Sequence, residues 1–212
     1  AGAAVSHYET EYGVPSGEAI GIRMRQTRFA LEGEVTSPFG IFRSARGRLG
    51  LGDYTHSEIA DGTVNTTFTN DAWEGRVELA HTPIGAVTGT IGLQAARSDF
   101  AAVGEEVVTP PSLTQSGAVF ALEELKLGER ATLQFGGRLE AQHIRLGEVD
   151  PALPRLPGYG ARSQQRKKLA GASASLGLVV YPAKDWSVGV ALASSERLPT
   201  AQELFANGPH GG

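Results

Sequence analysis

The chain has no cysteine among its 212 residues, which excludes a disulfide framework and any thiolate metal site. No stretch of about 18 consecutive apolar residues occurs, so no transmembrane helix is read from it. Aromatic residues are 7% of the sequence, with two tryptophans, a low figure for a membrane barrel with full aromatic girdles. Basic charge is not in excess. Nineteen Lys and Arg stand against 23 Asp and Glu, a net charge of −4, so no nucleic-acid partner is suggested. Ala1-Gly2-Ala3-Ala4-Val5 has no charged segment before it and runs into polar sequence, so no signal peptide is read there. Helical periodicity is nearly missing too.

What is present is alternation. Residues 20–35 place Phe29, Leu31, Gly33 and Val35 on one face and Arg28, Ala30, Glu32 and Glu34 on the other. Residues 41–57 do the same with Ala45, Gly47, Leu49 and Leu51 against Ser44, Arg46, Arg48 and Gly50. Residues 63–81 set Trp73, Val77 and Leu79 against Asn70, Glu74, Arg76 and Glu78. The period of two predicts strands here and over residues 1–9, 86–99, 115–127, 130–146, 169–181 and 186–195. Short turns are expected near residues 37–40, 82–85, 127–129 and 181–185. Longer loops are expected near 10–18, 57–63, 100–114 and 147–165. The stretch 57–63 is the weakest of the long set, because Asp61-Gly62 carries a hairpin signature.

Short turns alternating with longer loops suit an outer-membrane barrel, with tight turns at one end of the strands and larger loops at the other. Several of the expected strands also exceed the 9–11 or so residues that a tilted strand needs to cross a bilayer. A soluble antiparallel sandwich is the competing architecture, but its strands usually run nearer 5–6 residues. In a barrel the charged positions Arg46, Arg48, Glu74, Arg76, Glu78, Arg138 and Glu140 must face a wet lumen or whatever fills it. Each Arg near the lipid midplane would cost about 2–4 kcal/mol, whereas opposite charges on neighbouring strands can pair.

Candidate chemistry is sparse. The histidines are His7, His56, His81, His143 and His210, and none is paired at metal-ligand spacing. Asp53, His56 and Glu58 form a local group offering nitrogen and oxygen ligands suited to zinc; His7 and His143 are further candidates on other strands. A solvated loop accounts for the same residues. His81 sits at a short turn, where a structural role is expected. No nucleophile elbow or phosphate-cradling glycine motif occurs, and no enzymatic activity is expected.

The stretch Ser195 to His210 is neither ordinary strand nor ordinary helix. Pro199 removes a ladder donor and pushes Leu198 toward extended geometry. Thr200 can cap one helical turn through Gln202-Glu203-Leu204-Phe205, and Asn207-Gly208-Pro209 breaks it. On local chemistry alone this is a surface loop after a strand. The wording "SERLPTAQELFANGPHG", however, resembles the mid-barrel signature of TonB-dependent outer-membrane receptors. Arg197, Pro199, Glu203, Leu204, Phe205, Asn207, Gly208, Pro209 and His210 are the matching positions. "YGVP", "RFALEGEV", "TTFTNDAWEGRVEL", "GTIGLQAARSDFAAVGEE" and "PPSLTQSGAVFALEELKLG" also resemble the first half of such a barrel.

The resemblance implies an all-β, antiparallel up-and-down transmembrane β-barrel, of which residues 1–212 are an open fragment of about nine or ten strands out of about 22. The plug and the remaining strands would lie outside it. It implies a receptor in the outer membrane of a Gram-negative bacterium that binds a scarce extracellular nutrient and imports it with energy supplied by TonB. The expected partners are the lipid bilayer, TonB acting through the plug, and the nutrient. No cofactor is expected. Zinc or a metal chelate is the cargo considered first, although relatives proposed to take up zinc carry a His-rich insertion in the loop near Tyr12-Gly13-Val14-Pro15, and this sequence has none. A passive porin or adhesin barrel and a soluble β-sandwich binding module are the alternatives.

Overall fold

The computed structural model describes residues 1–15, 20–104, 107, 109–147 and 166–206. Nine strands follow in chain order: β1 Gly2–Gly13, β2 Ile20–Phe39, β3 Phe42–Ala60, β4 Thr63–His81, β5 Val87–Gly104, β6 Ser112–Lys126, β7 Ala131–Leu146, β8 Arg166–Ala183 and β9 Trp186–Ser194. One short helix, α1, spans Ala201–Phe205. The strands form a single sheet in sequence order, each antiparallel to the next. β1 and β9 therefore each pair along one edge only. Strands of up to 20 residues in one sheet, without a second sheet among the described residues, remove the sandwich alternative.

The register sorts side chains as the alternation predicts. Leu31 pairs with Leu49, and Leu49 with Gly75. Val77, Leu93, Val119 and Leu139 continue on that face. β8 and β9 present Leu176, Leu178, Val188, Val190 and Leu192 there, through the pairs Phe135 to Leu176 and Leu176 to Leu192. This apolar face is bare: Leu139 is 62% exposed and Leu192 73%. The opposite face carries the charged set, through Glu34 to Arg46 to Glu78 and Glu32 to Arg48 to Arg76.

Two turns differ from expectation. The stretch 57–63 is not a loop: β3 and β4 run up to Ala60 and Thr63, and only Asp61 and Gly62 connect them. Both have positive φ, 50° and 77°, the type I′ geometry that follows the twist of a hairpin. Around residues 37–40 the strand continues to Phe39, which pairs with Phe42. A register shift falls between Thr36 and Phe39, so Pro38, which has no N–H to give, sits in a bulge. The connections at 82–86, 127–130 and 184–185 lie at one end of the sheet, close to the expected short turns. At the other end β1 runs on to Gly13, β5 to Gly104, and β6 starts at Ser112, so strand takes up part of the loops expected at 10–18 and 100–114; the loop expected at 147–165 lies, after Gly147, outside the described residues. The latter end is called distal below.

Candidate functional site

The charged face is an ion-paired belt. Arg46 Nη2 lies 2.8 Å from a Glu34 carboxylate oxygen, and Arg48 Nε lies 3.5 Å from Glu32. Arg76 and Glu78, and Arg138 and Glu140, make equivalent contacts at 2.8 Å. Gln94 ties the strands together, its Oε1 accepting from Arg76 at 3.4 Å and from Arg138 at 3.0 Å. The Arg76 guanidinium also stacks 4.1 Å above the Phe120 ring. Glu74 occupies this face by register, opposite Gly50. All seven charges expected on one face are thus on one face. Half-exposed pairs of this kind stabilise little individually, about 0–1 kcal/mol. Their consequence is a surface on which four arginines each meet a partner glutamate, with Glu74 as a fifth acid on the same face.

The segment after β9 folds onto this same face. β9 stops where Ser194 pairs with Ala174, leaving the distal part of β8 without a strand beside it. Glu196 Oε2 accepts from the Ala172 amide at 2.7 Å, a hydrogen bond in the place of a ladder bond. Gln142 Nε2 donates to the Pro199 carbonyl at 2.8 Å. Gly171 permits the approach: a Cβ there would sit 3.1 Å from Leu198 Cδ2. α1 then buries Ala201 and Phe205 against Ile144 and Leu146, with Leu169 and Leu204 packed around them. This is the only cluster of buried apolar side chains among the described residues, and it lies at the distal end.

Local chemistry explains the shape of that segment. Thr200 caps α1: its Oγ1 accepts from the Glu203 amide at 3.2 Å, and the Glu203 carboxylate accepts from the Thr200 amide at 2.8 Å, a reciprocal capping box. Arg197 grips the same carboxylate in a fork, at 2.9 Å and 2.6 Å. The Arg197 hydrogen bonds, followed by the Thr200 amide, push the Glu203 carboxyl down to about 2 from an ordinary 4.5. A depressed carboxyl contributes its stabilisation in full above the ordinary value and loses it as pH falls through the folded one. In the intact protein, hydrogen exchange at the 201–206 amides is therefore expected to accelerate as pH falls from about 4.5 toward 2, after correction for intrinsic rates. Glu203→Gln should already show the faster exchange at neutral pH. Protection that is unchanged in the variant would show that the fork does not hold the segment.

The expected signature positions divide accordingly. Arg197, Pro199, Glu203, Leu204 and Phe205 have the contacts just given, while Asn207, Gly208, Pro209 and His210 lie outside the described residues. The metal candidates are not brought together. His56 and Glu58 share the charged face, in register with Phe68 and Thr66. Asp53 is an odd number of residues away and points to the opposite face, in the row of Thr27 and Asp71. His7 pairs with Thr27, and His143 with Lys168, on that same opposite face. No group of three metal-ligating side chains is assembled among the described residues. The period of two separates Asp53 from His56, so their nearness in sequence misleads.

His56 instead belongs to an aromatic group that sequence reading missed. It stacks on Phe68 with ring centroids 4.4 Å apart, and Tyr54 meets it edge-on at 5.5 Å. Phe100 extends the group from β5. Parity alone placed these rings on one face; their adjacency required the strand register. His81 has the structural role expected of it, buried with Nδ1 at 2.7 Å from the Thr82 carbonyl and Nε2 at 2.8 Å from Glu123. A cavity of about 1040 Å³ lies against the apolar face, along Gly33, Gly47, Gly75 and Gly117. It is a furrow over small residues; Glu32, Arg48, Arg76 and Glu140 of the belt also border it, although register turns their side chains to the opposite face.

One apolar face, one ion-paired face and long antiparallel strands in sequence order are the geometry of a membrane barrel wall. The comparisons agree. Among solved structures, the chain is similar to the copper transporter OprC with a TM-score of 0.73 at 12% sequence identity, covering 96% of this chain and 38% of that one. The chain thus spans well under half the length of that protein, and at this identity the likeness concerns the fold. The family model described as TonB dependent receptor-like, beta-barrel, matches residues 9–212, and the chain belongs to the TonB-dependent receptor β-barrel family.

Proposed function

We propose that this chain is part of the barrel wall of an outer-membrane receptor that binds a scarce nutrient outside the cell and imports it with energy supplied by TonB. The observation that carries the reading is the division of faces within a receptor-family sheet. The apolar face is turned to lipid, where it needs no further cover. The belt from Glu34 to Glu140 is turned to the lumen, where water and a plug satisfy charged groups. The segment from Ser195 to Ala206 then lies over β7 and β8 at the distal mouth of the lumen, on the same face and at the same end as the aromatic group that Tyr54, His56, Phe68 and Phe100 form on β3 to β5. That places a mixed polar and aromatic surface on the nutrient's path.

Metal, free or chelated, is the first cargo to test, because a structurally similar protein is a copper transporter. Zinc held jointly by Asp53, His56, Glu58, His7 and His143 is not part of the proposal, since those residues lie on two faces. Growth is compared in a parent strain, a strain lacking the full-length gene and a strain lacking TonB, with zinc, copper or chelated iron limiting. At least one nutrient should support growth only when both genes are present. Equal growth of parent and gene deletion on every nutrient would overturn metal as the cargo. Uptake through the receptor in cells lacking TonB would overturn active transport and indicate a passive pore.

A further inference from the structure

The apolar face ends, on β7 and β8, in three cations. On β7 the positions turned to this face run from Ala131 through Leu133, Phe135, Gly137 and Leu139 to Ala141, and then come His143 and Arg145. On β8 they run from Val180 through Leu178, Leu176, Ala174 and Ala172 to Ala170, and then come Lys168 and Arg166. Each apolar run covers ten residue steps. At about 3.4 Å per residue and a tilt of about 40°, that is about 26 Å along the membrane normal. The hydrophobic band of an outer-membrane barrel is about 25 Å tall. Lys168 therefore sits at the band's distal edge and Arg145 and Arg166 just beyond it, at the depth of lipid headgroups.

Among the described residues the three are unopposed. Arg145 pairs directly with Arg166 in the ladder, and Lys168 with His143. Like charges directly opposite each other destabilise a sheet. The β6 neighbours of Arg145 and His143 are Leu113 and Gln115, and no ion pair involves Arg145, Arg166 or Lys168 among the described residues. β9 gives no relief, since it ends opposite Ala174. Elsewhere on this face Arg23 binds Glu11 at 3.0 Å and Arg97 binds Asp99 at 3.1 Å, and Arg25 stands opposite Glu9 in the ladder. The ladder row of Arg145 becomes acidic on β3 to β5, with Asp53, Asp71 and Asp99. Positive charge is thus concentrated on β7 and β8 and is not a general property of this rim.

We infer that Arg145, Arg166 and Lys168 form a docking site for a phosphorylated lipid of the distal leaflet. Its phosphates bridge the opposed arginines and Lys168, and its acyl chains lie along Leu139, Ala141, Ala170 and Ala172. The occupant follows from charge complementarity and depth together. A lipid phosphate is held at that height by its own chains, so it meets the cations without the cost of leaving solution, and guanidinium pairs bind phosphate in fork geometry. The inference rests on the barrel reading above.

The test uses the full-length receptor in neutral detergent. Heat-modifiable mobility in gel electrophoresis is checked first; its absence would defeat the barrel reading itself, and this inference with it. Native mass spectrometry then follows retention of lipid A, a glycolipid with two phosphates, against phosphatidylcholine and against inorganic phosphate. Wild type should retain lipid A in preference to phosphatidylcholine, and inorganic phosphate at equal concentration should not displace it. The triple variant Arg145→Gln, Arg166→Gln, Lys168→Gln should bind lipid A more weakly by on the order of a hundredfold. Arg97→Gln, which removes a cation already paired to Asp99, should leave retention unchanged. A heat-modifiable receptor whose triple variant holds lipid A as wild type does would overturn the proposal, as would equal retention of phosphatidylcholine. Displacement by inorganic phosphate would reduce the site to a phosphate site and also overturn it.

Discussion

Residues 1–212 expressed alone are expected to form neither a stable soluble monomer nor a pore. The sheet has two unpaired edges, along β1 and β9. An open edge in lipid leaves backbone groups unsatisfied, at several kcal/mol each, and in water the same edge recruits other chains. The apolar face adds to the problem. Val190 is 64% exposed and Val35 60%, with Leu139 and Leu192 higher or similar. A contiguous surface of that kind is far larger than soluble monomers tolerate. The one buried cluster among the described residues, Ile144, Leu146, Ala201 and Phe205, is too small to offset this. Size-exclusion chromatography and NMR in detergent-free buffer should find aggregate or no soluble protein. A well-dispersed spectrum from a monomer would refute the assignment of the apolar face to lipid.

The same assignment makes one substitution have opposite outcomes on the two faces. Gly137 points to the apolar face, in the row of Ala121 and Ala174, near the middle of the β7 apolar run. Gly50 points to the charged face, opposite Glu74. A Cβ at either meets nothing within 4 Å, so the backbone leaves room for a side chain to start at both positions. In a full-length receptor Gly137→Arg should destabilise the folded barrel by about 2–4 kcal/mol, the cost of an arginine near the bilayer midplane. Gly137→Leu should be neutral or stabilising. Gly50→Arg should be tolerated, since it meets water and a carboxylate. Denaturant titration of the receptor folded into vesicles measures all three. Equal loss in the two arginine variants would remove the distinction between the faces.

Much of the fold was legible because a strand writes its environment with a period of two. Trp73, Val77 and Leu79 against Glu74, Arg76 and Glu78 announce two solvents, and no long-range information is needed to separate them. Asp61-Gly62 announces its own turn, since the type I′ geometry needs positive φ at both positions; counting 57–63 among the loops underweighted that dipeptide. The capped turn from Thr200 to Phe205 was legible for the same reason, because a capping box is closed within four residues.

What the sequence could not show is what lies beside what across strands. Gln94 bridging Arg76 and Arg138, the His56 and Phe68 stack, and the separation of Asp53 and His7 from His56 all depend on register over tens of residues. Register is decided by the whole ladder, where a slip of one residue would turn every apolar side chain to the wrong face. The inward fold of Ser195 to Ala206 is likewise tertiary: β9 ends at Ser194, the β8 edge then needs another partner for Ala172, and Phe205 finds cover only against Ile144 and Leu146. By itself the sequence determined which residues share a side of each strand and where most of the short turns fall, because those are local choices between solvents. Only the tertiary structure decided which charges pair and what closes over the distal end of β7 and β8, because those contacts exist only once the strands are aligned.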